Sequence, residues 1–328
     1  MVHKMLAGQI LGKRFLEMVE VPIPEINDGE FLVRLEIGSI CGSDLPYFLL
    51  DTDHPLLTGT EAPLPPMYSL HELVGSVVKS RTKHFKEGDR VLGLPTVPHK
   101  GLAEYFVSGD DRAVVLPNAA NHLVLTQPLG TVVHACSKLS ELAGQTVVVL
   151  GQGPIGQLFT AVLRHRGVAR LIAVDLLPER LEVSNRMGAT HTVCGNATEV
   201  ITAIETITEA KRVDLVVEAV GKEETLNLAI KLLRRSRTLL SFGLPHKYSY
   251  NLAFNEFFWN EGRLICSLGP TVEDFRTAAD LIANNLIDVS PLITHTFPLS
   301  GAQEAFNLFA NRADGVIKVV LEAGSIRK

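Results

Sequence analysis

Two kinds of hydrophobic pattern divide the chain. Residues 1–125 carry short apolar segments broken by turn residues, the signature of a β-rich unit. Residues 31–37 alternate apolar and polar positions in their second half, as a half-buried strand does. Further strands are predicted over residues 73–78, 90–94, 102–107 and 113–116, the second opened by a Gly88-Asp89 turn and the last stopped by Pro117. Residues 51–66, rich in Pro, Thr and Gly, read as a long loop. From Thr146 the pattern changes. Residues 146–150 form an unbroken apolar run, as a strand buried on both faces requires. A helix to about His165, a strand at 171–174, a helix at 179–187 and a short strand at 191–193 follow. A helix at 201–210, a strand at 213–218, a helix at 225–233 and a strand at 238–242 complete the series. This alternation predicts parallel βαβ units, hence an α/β protein with a doubly wound sheet. The tail from Val272 reads as an amphipathic helix, a segment at 292–297, a helix at 303–311 and a closing strand at 316–321.

Composition narrows the class. A chain of 328 residues is long for one domain, and 46% hydrophobic residues suffice for packed cores. A net charge of −5 offers no basic face, which argues against nucleic-acid binding. No segment approaches the ~20 apolar residues of a membrane helix. The opening MVHKMLAGQILGKRF has no apolar core followed by a cleavage site, so no secretory signal is expected. Cys41, Cys136, Cys194 and Cys266 are scattered with no C-x-x-C pair, which suits a reducing cytoplasm. Cys194 and Cys266 are expected to pack as small apolar groups, and His134 and Cys136 to open a helix.

The clearest chemistry lies at Gly151-Gln152-Gly153-Pro154-Ile155-Gly156, a G-x-G-x-x-G run directly after a buried strand and before a helix. Gly151 permits the tight turn, Gly153 lets backbone approach a pyrophosphate, and Gly156 lets helix pack on strand. Pro154 and Ile155 begin the helix, whose free N–H groups and partial positive charge favour phosphates. Asp175 ends the next strand nineteen residues after Gly156. Its carboxylate can accept hydrogen bonds from adenosine ribose hydroxyls and repels a 2′-phosphate, so NAD is expected over NADP. Arg180, in the following helix, is expected to lie too far away to reverse that preference.

A second group is suggestive by residue type. Cys41-Gly42-Ser43-Asp44 follows the strand at 31–37, and His71-Glu72 opens the strand at 73–78. Thiolate, imidazole and carboxylate are all zinc ligands. CGSD, the later HE, GDRV at residues 88–91, GQGPIG, VEAVG ending at Gly221, and the closing IKVVL at 317–321 together resemble the zinc-type medium-chain dehydrogenase/reductase superfamily. CGSD with HE is similar to its alcohol, sorbitol and threonine dehydrogenases. The resemblance implies a GroES-like catalytic domain over residues 1–125, completed by 270–328, and a Rossmann domain over 126–269. It implies one catalytic zinc on Cys41 and His71, with Glu72 a ligand or standing just behind. Asp44 would orient His71, Ser43 would take the proton from the substrate alcohol, and Arg180 and Gly221 would join the cofactor site. A dimer or tetramer, paired through an edge strand near residues 263–268, is implied too.

The chain also departs from that family. Gln127 stands where a further Glu or Asp ligand is usual, which predicts a weaker metal centre. Pro46 replaces the histidine of the proton relay, with Tyr47 beside it, and Leu70 replaces the glycine before HE. Residues 91–104 hold His99 but no cysteine, so no structural zinc is expected. Tyr47, Phe48, Leu49, Leu50 and Trp259 are candidate linings for an apolar substrate pocket. The function expected is hydride transfer between a secondary alcohol, or its ketone, and NAD. A metal-free reductase of conjugated carbonyls and a non-catalytic NAD-binding protein are the alternatives.

Overall fold

The computed structural model describes residues 4–57 and 60–324. The chain divides into two compact units. The first comprises residues 1–130, 271–285 and 293–328, and the second residues 131–270 and 286–292.

The first unit opens with an antiparallel hairpin, β1 (Lys4–Gly12) and β2 (Phe15–Pro22), which the sequence pattern left unassigned. β3 (Glu30–Ser39) then leads to the short helix α1 (Leu45–Leu49). β4 (Glu72–Ser80), β5 (Arg90–Gly93), β6 (Tyr105–Gly109) and β7 (Ala113–Val115) follow. Helix α2 (Thr126–Ser137) follows, and His134 and Cys136 close it rather than open it.

The second unit alternates strand and helix: β8 (Thr146–Leu150), α3 (Pro154–His165), β9 (Arg170–Asp175), α4 (Pro178–Arg186), β10 (His191–Cys194), α5 (Ala197–Thr208), β11 (Val213–Glu218), α6 (Glu223–Leu232) and β12 (Leu233–Ser241). Helix α7 (Phe254–Trp259) and β13 (Arg263–Cys266) complete it. Its strands form a parallel sheet of order β10-β9-β8-β11-β12-β13. Order reverses beside β8, so the carboxyl ends of β8, β9 and β11 meet at a topological switch point, the usual ligand position in such sheets. Val147 to Leu150 are buried, as the unbroken apolar run requires. Helix α3 turns Leu158, Phe159, Val162 and Leu163 inward at helical spacing.

The tail returns to the first unit with α8 (Val272–Ala283), β14 (Ile293–Pro298), α9 (Ala302–Asn311) and β15 (Lys318–Glu322). β15 pairs antiparallel with β3, placing the end of the chain in the same sheet as the CGSD segment's strand. Among the described residues no helix is long and apolar enough to cross a membrane.

Candidate functional site

Sheet register builds the metal-side cluster. β3 and β4 run antiparallel with Ser39 opposite Glu72. The chain leaving β3 and the chain entering β4 therefore lie side by side, which brings Cys41 to His71. Reactive atoms of Cys41, His71 and Glu72 all lie within 4.8 Å of one another. A soft thiol, an imidazole and a carboxylate converging in this way fit the donor preferences of zinc. Cys41 caps a short 3₁₀ turn, Gly42–Asp44, and its N–H donates to Asp44 Oδ2 at 2.8 Å.

That turn aims Asp44, which is fully buried, at two imidazoles. Its Oδ1 lies 3.3 Å from His71 Nδ1 and 3.7 Å from His99 Nδ1. Burial would raise the Asp44 carboxyl, but His71 foremost, together with His99, outweighs it and holds it well below the usual carboxylate range. Burial likewise pushes the His71 imidazole down, and Asp44 and then Cys41 reverse the sign, so that it rises well above its ordinary value. Ser43, at the centre of the turn, is half-buried.

Glu72 is committed elsewhere as well. Lys318 Nζ donates to its Oε1 at 2.7 Å and stands 2.6 Å from Oε2, while Ser39 Oγ donates to Oε2. Both Glu72 and Lys318 are buried, so the carboxylate has a resident counter-ion. Lys318 was not among the expected site residues, although one lysine within the apolar run IKVVL is itself a sign that a buried partner exists. His99, noted in the sequence only for its presence, is the other residue missed.

Gln127 is buried in the first turn of α2, Pro46 is buried at the start of α1, and Leu70 belongs to the apolar core. Tyr47 packs against His99 with ring centroids 5.1 Å apart and against Tyr68 at 5.5 Å. Phe48 is fully buried beside Phe306, so it belongs to the core rather than to a pocket wall. Trp259 is 71% exposed on the second unit, on a helix too short to bury both faces.

The nucleotide side is local. Gly151 has φ +89°, and a Cβ on Gly156 would fall 1.8 Å from the Gly151 carbonyl oxygen, so helix and turn approach as only glycine allows. Gly153 caps α3, with Pro154 and Ile155 in its first turn. A Cβ on Gly153 would meet nothing closer than Arg180 Nη1 at 3.9 Å, which leaves the turn open to a ligand. The Asp175 carboxylate accepts the N–H groups of Gln152 at 2.6 Å and Leu177 at 3.0 Å. These bonds fold the chain back at the end of β9, and Arg180 Nη1 comes within 3.8 Å of Asp175 Oδ2. Arg180 is therefore close, contrary to the expectation from its position in α4. Gly221 follows β11 and donates its N–H to Glu218 Oε1 at 2.9 Å, while its carbonyl accepts from Tyr250. Cys194 and Cys266 are exposed rather than packed, because each ends a short outer strand of the sheet.

Comparison with known proteins follows these two regions. Residues 27–127 match the family model described as alcohol dehydrogenase GroES-like domain, and residues 154–284 that described as zinc-binding dehydrogenase. The chain is 26% identical to sorbitol dehydrogenase of Bacillus subtilis, covering 97% of each protein. It is 29% identical to sorbitol dehydrogenase of Gallus gallus over 94% of this chain and 93% of that one. Among solved structures, L-idonate 5-dehydrogenase from Escherichia coli superposes with a TM-score of 0.85 at 24% identity, covering 98% of each chain.

Proposed function

Starting from a chain that belongs to the zinc-type medium-chain dehydrogenase/reductase superfamily and is an alcohol-type oxidoreductase, we propose that it exchanges a hydride between a secondary alcohol of the polyol class, or its ketone, and NAD. The observation that carries this reading is the convergence of Cys41, His71 and Glu72 within 4.8 Å in the unit that matches the GroES-like model. One zinc ion held there would supply Lewis acidity, drawing the pKa of an alcohol towards neutrality.

The chain's own residues then have separable tasks. Cys41 and His71 hold the ion, with Glu72 beside them and its charge shared with Lys318. Asp44 orients the His71 ring, as metal-binding histidines generally require. Ser43 Oγ takes the alcohol proton while passing its own hydroxyl proton on towards water. In the other unit Gly151, Gly153 and Gly156 admit the pyrophosphate to the N-terminus of α3, Pro154 and Ile155 shape its first turn, and Gly221 lines the same end of the sheet. Asp175 receives the adenosine ribose hydroxyls. Arg180 stays paired to it, which keeps the guanidinium from recruiting a 2′-phosphate. Free thiols at Cys41, Cys136, Cys194 and Cys266 suit work in the cytoplasm. The open edge strand β13, with Leu264 half exposed and Phe258 and Trp259 nearby in the chain, favours a homo-oligomer.

The test is NADH formation, followed by absorbance, from a panel of secondary alcohols and polyols before and after zinc is stripped and restored. Turnover that vanishes and returns with zinc is the expected result. Normal NADH binding with no turnover in zinc-loaded protein would turn the assignment towards a conjugated-carbonyl reductase or a binding protein.

A further inference from the structure

Three polar atoms meet beside the cluster just described with no hydrogen-bond partner of normal geometry. Asp44 Oδ1, His71 Nδ1 and His99 Nδ1 are each buried and unsatisfied. Reactive atoms of the three residues lie within 4.8 Å of one another. The 3.3 Å and 3.7 Å separations from Asp44 Oδ1 are longer than most hydrogen bonds. They are close to the edge of a tetrahedron whose centre lies ~2.0–2.1 Å from nitrogen and oxygen ligands, an edge of about 3.3–3.4 Å.

His99 is brought to this place at a conformational cost. Its backbone has φ +58°, in the left-handed region that non-glycine residues avoid, and its ring meets the His71 ring edge-on at 4.9 Å between centroids. Tyr47 covers it from another side. The segment carrying it, between β5 and β6, has no cysteine and no other histidine.

We propose that Asp44, His71 and His99 form a cation site of their own, in which Asp44 binds a divalent first-row transition ion through Oδ1 instead of serving only to orient His71. Two imidazoles and one carboxylate form a donor set suited to such ions. The trio shares only His71 with the Cys41–His71–Glu72 trio, and an imidazole has two nitrogens to offer. The inference rests on the reading of His71 as a metal ligand, and it goes beyond that reading in recruiting Asp44 and His99.

Cobalt(II) serves as the probe, titrated into the zinc-stripped full-length protein and into three variants: Cys41→Ser, His99→Ala and His99→Cys. The proposal predicts a cobalt equivalent that Cys41→Ser retains and that His99→Ala binds at least tenfold more weakly. If one equivalent is lost in both variants, His99→Cys decides. Recovery of the ion with a new sulfur-to-cobalt charge-transfer band puts residue 99 on the metal, and failure to recover it overturns the proposal. A protein that binds one cobalt ion in all, lost from Cys41→Ser but held with unchanged affinity by His99→Ala, also overturns it, while leaving the proposed catalytic site intact. Retention of one equivalent in Cys41→Ser with its loss in His99→Ala supports the new site, and a further equivalent lost only from Cys41→Ser belongs to the Cys41 site. Unchanged binding in both variants overturns both assignments.

Discussion

The turn around Gly151 and the cluster around His71 are built over very different distances along the chain. In the turn, the decisive long contact joins Gln152 to Asp175, 23 positions apart. In the cluster, Glu72 meets Lys318 across 246 positions, and Asp44, His71 and His99 come from three separate segments. The turn needs one strand, one helix and glycines in register. The cluster needs the whole β-rich unit to be folded, including the strand β15 that the end of the chain contributes. The proposed phosphate site can therefore be carried by a local motif, whereas the proposed metal site depends on the sheet.

The contrast can be broken most forcefully at Lys318. In the zinc-stripped protein, Lys318→Met should leave the Glu72 charge buried without a counter-ion, held only by the Ser39 hydroxyl, costing about 3–5 kcal/mol in denaturant unfolding. Adding Glu72→Gln should recover much of that loss. A neutral single variant would mean that solvent reaches Glu72, and the non-local account of the cluster would fail. Next in size is Gly156→Ala, whose Cβ would collide with the Gly151 carbonyl. Overpacking of about 1–3 kcal/mol should appear in denaturant unfolding, and the displaced turn should weaken NADH binding as well. Metal content should be unchanged, because the two regions fold on separate registers.

A smaller effect is expected at Asp175. Asp175→Ser should remove the ribose acceptor and release Arg180, lowering the preference for NAD over NADP by about tenfold, or ~1.4 kcal/mol. The comparison of kcat/KM with the two cofactors reads this directly. The least perturbing probe is thiol alkylation. Burial pushes the Cys136 thiol up to about 12, whereas Cys194 and Cys266 are exposed. At neutral pH, mass spectrometry should find Cys194, at the sheet edge opposite β13, labelled and Cys136 protected. The same pattern in Lys318→Met would confine that lesion to the β-rich unit, and early labelling of Cys136 would show that it spreads.

The same difference in distance explains what was legible in the sequence. The alternation from β8 to β12 and the glycine turn stand out because each signal is complete within a short window. Cys41, Ser43, Asp44, His71 and Glu72 were also visible, as two separate motifs that only the family resemblance joined, and the β3–β4 register is the physical cause of their meeting. His99 carried no local signal, since a lone histidine in a loop gives no hint of what it faces. Lys318 carried one, being a charge inside an apolar strand, but its partner lay too far away to name. The exposure of Cys194 and Cys266 depends on the outer position of β10 and β13 in the sheet, which strand order alone determines. The hairpin β1–β2 and helix α7 lacked the sustained periodicity that marks longer elements.

In the proposed reaction the chain passes a carbinol hydride to NAD. The direct measurement supplies a secondary alcohol or polyol deuterated at the carbinol carbon, together with NAD and the zinc-loaded protein, and weighs the reduced cofactor. The expected product is NADH that carries the deuterium and forms more slowly than from the unlabelled alcohol whenever hydride transfer limits the rate. Reduced cofactor without deuterium, or none formed from any member of the panel, would contradict it.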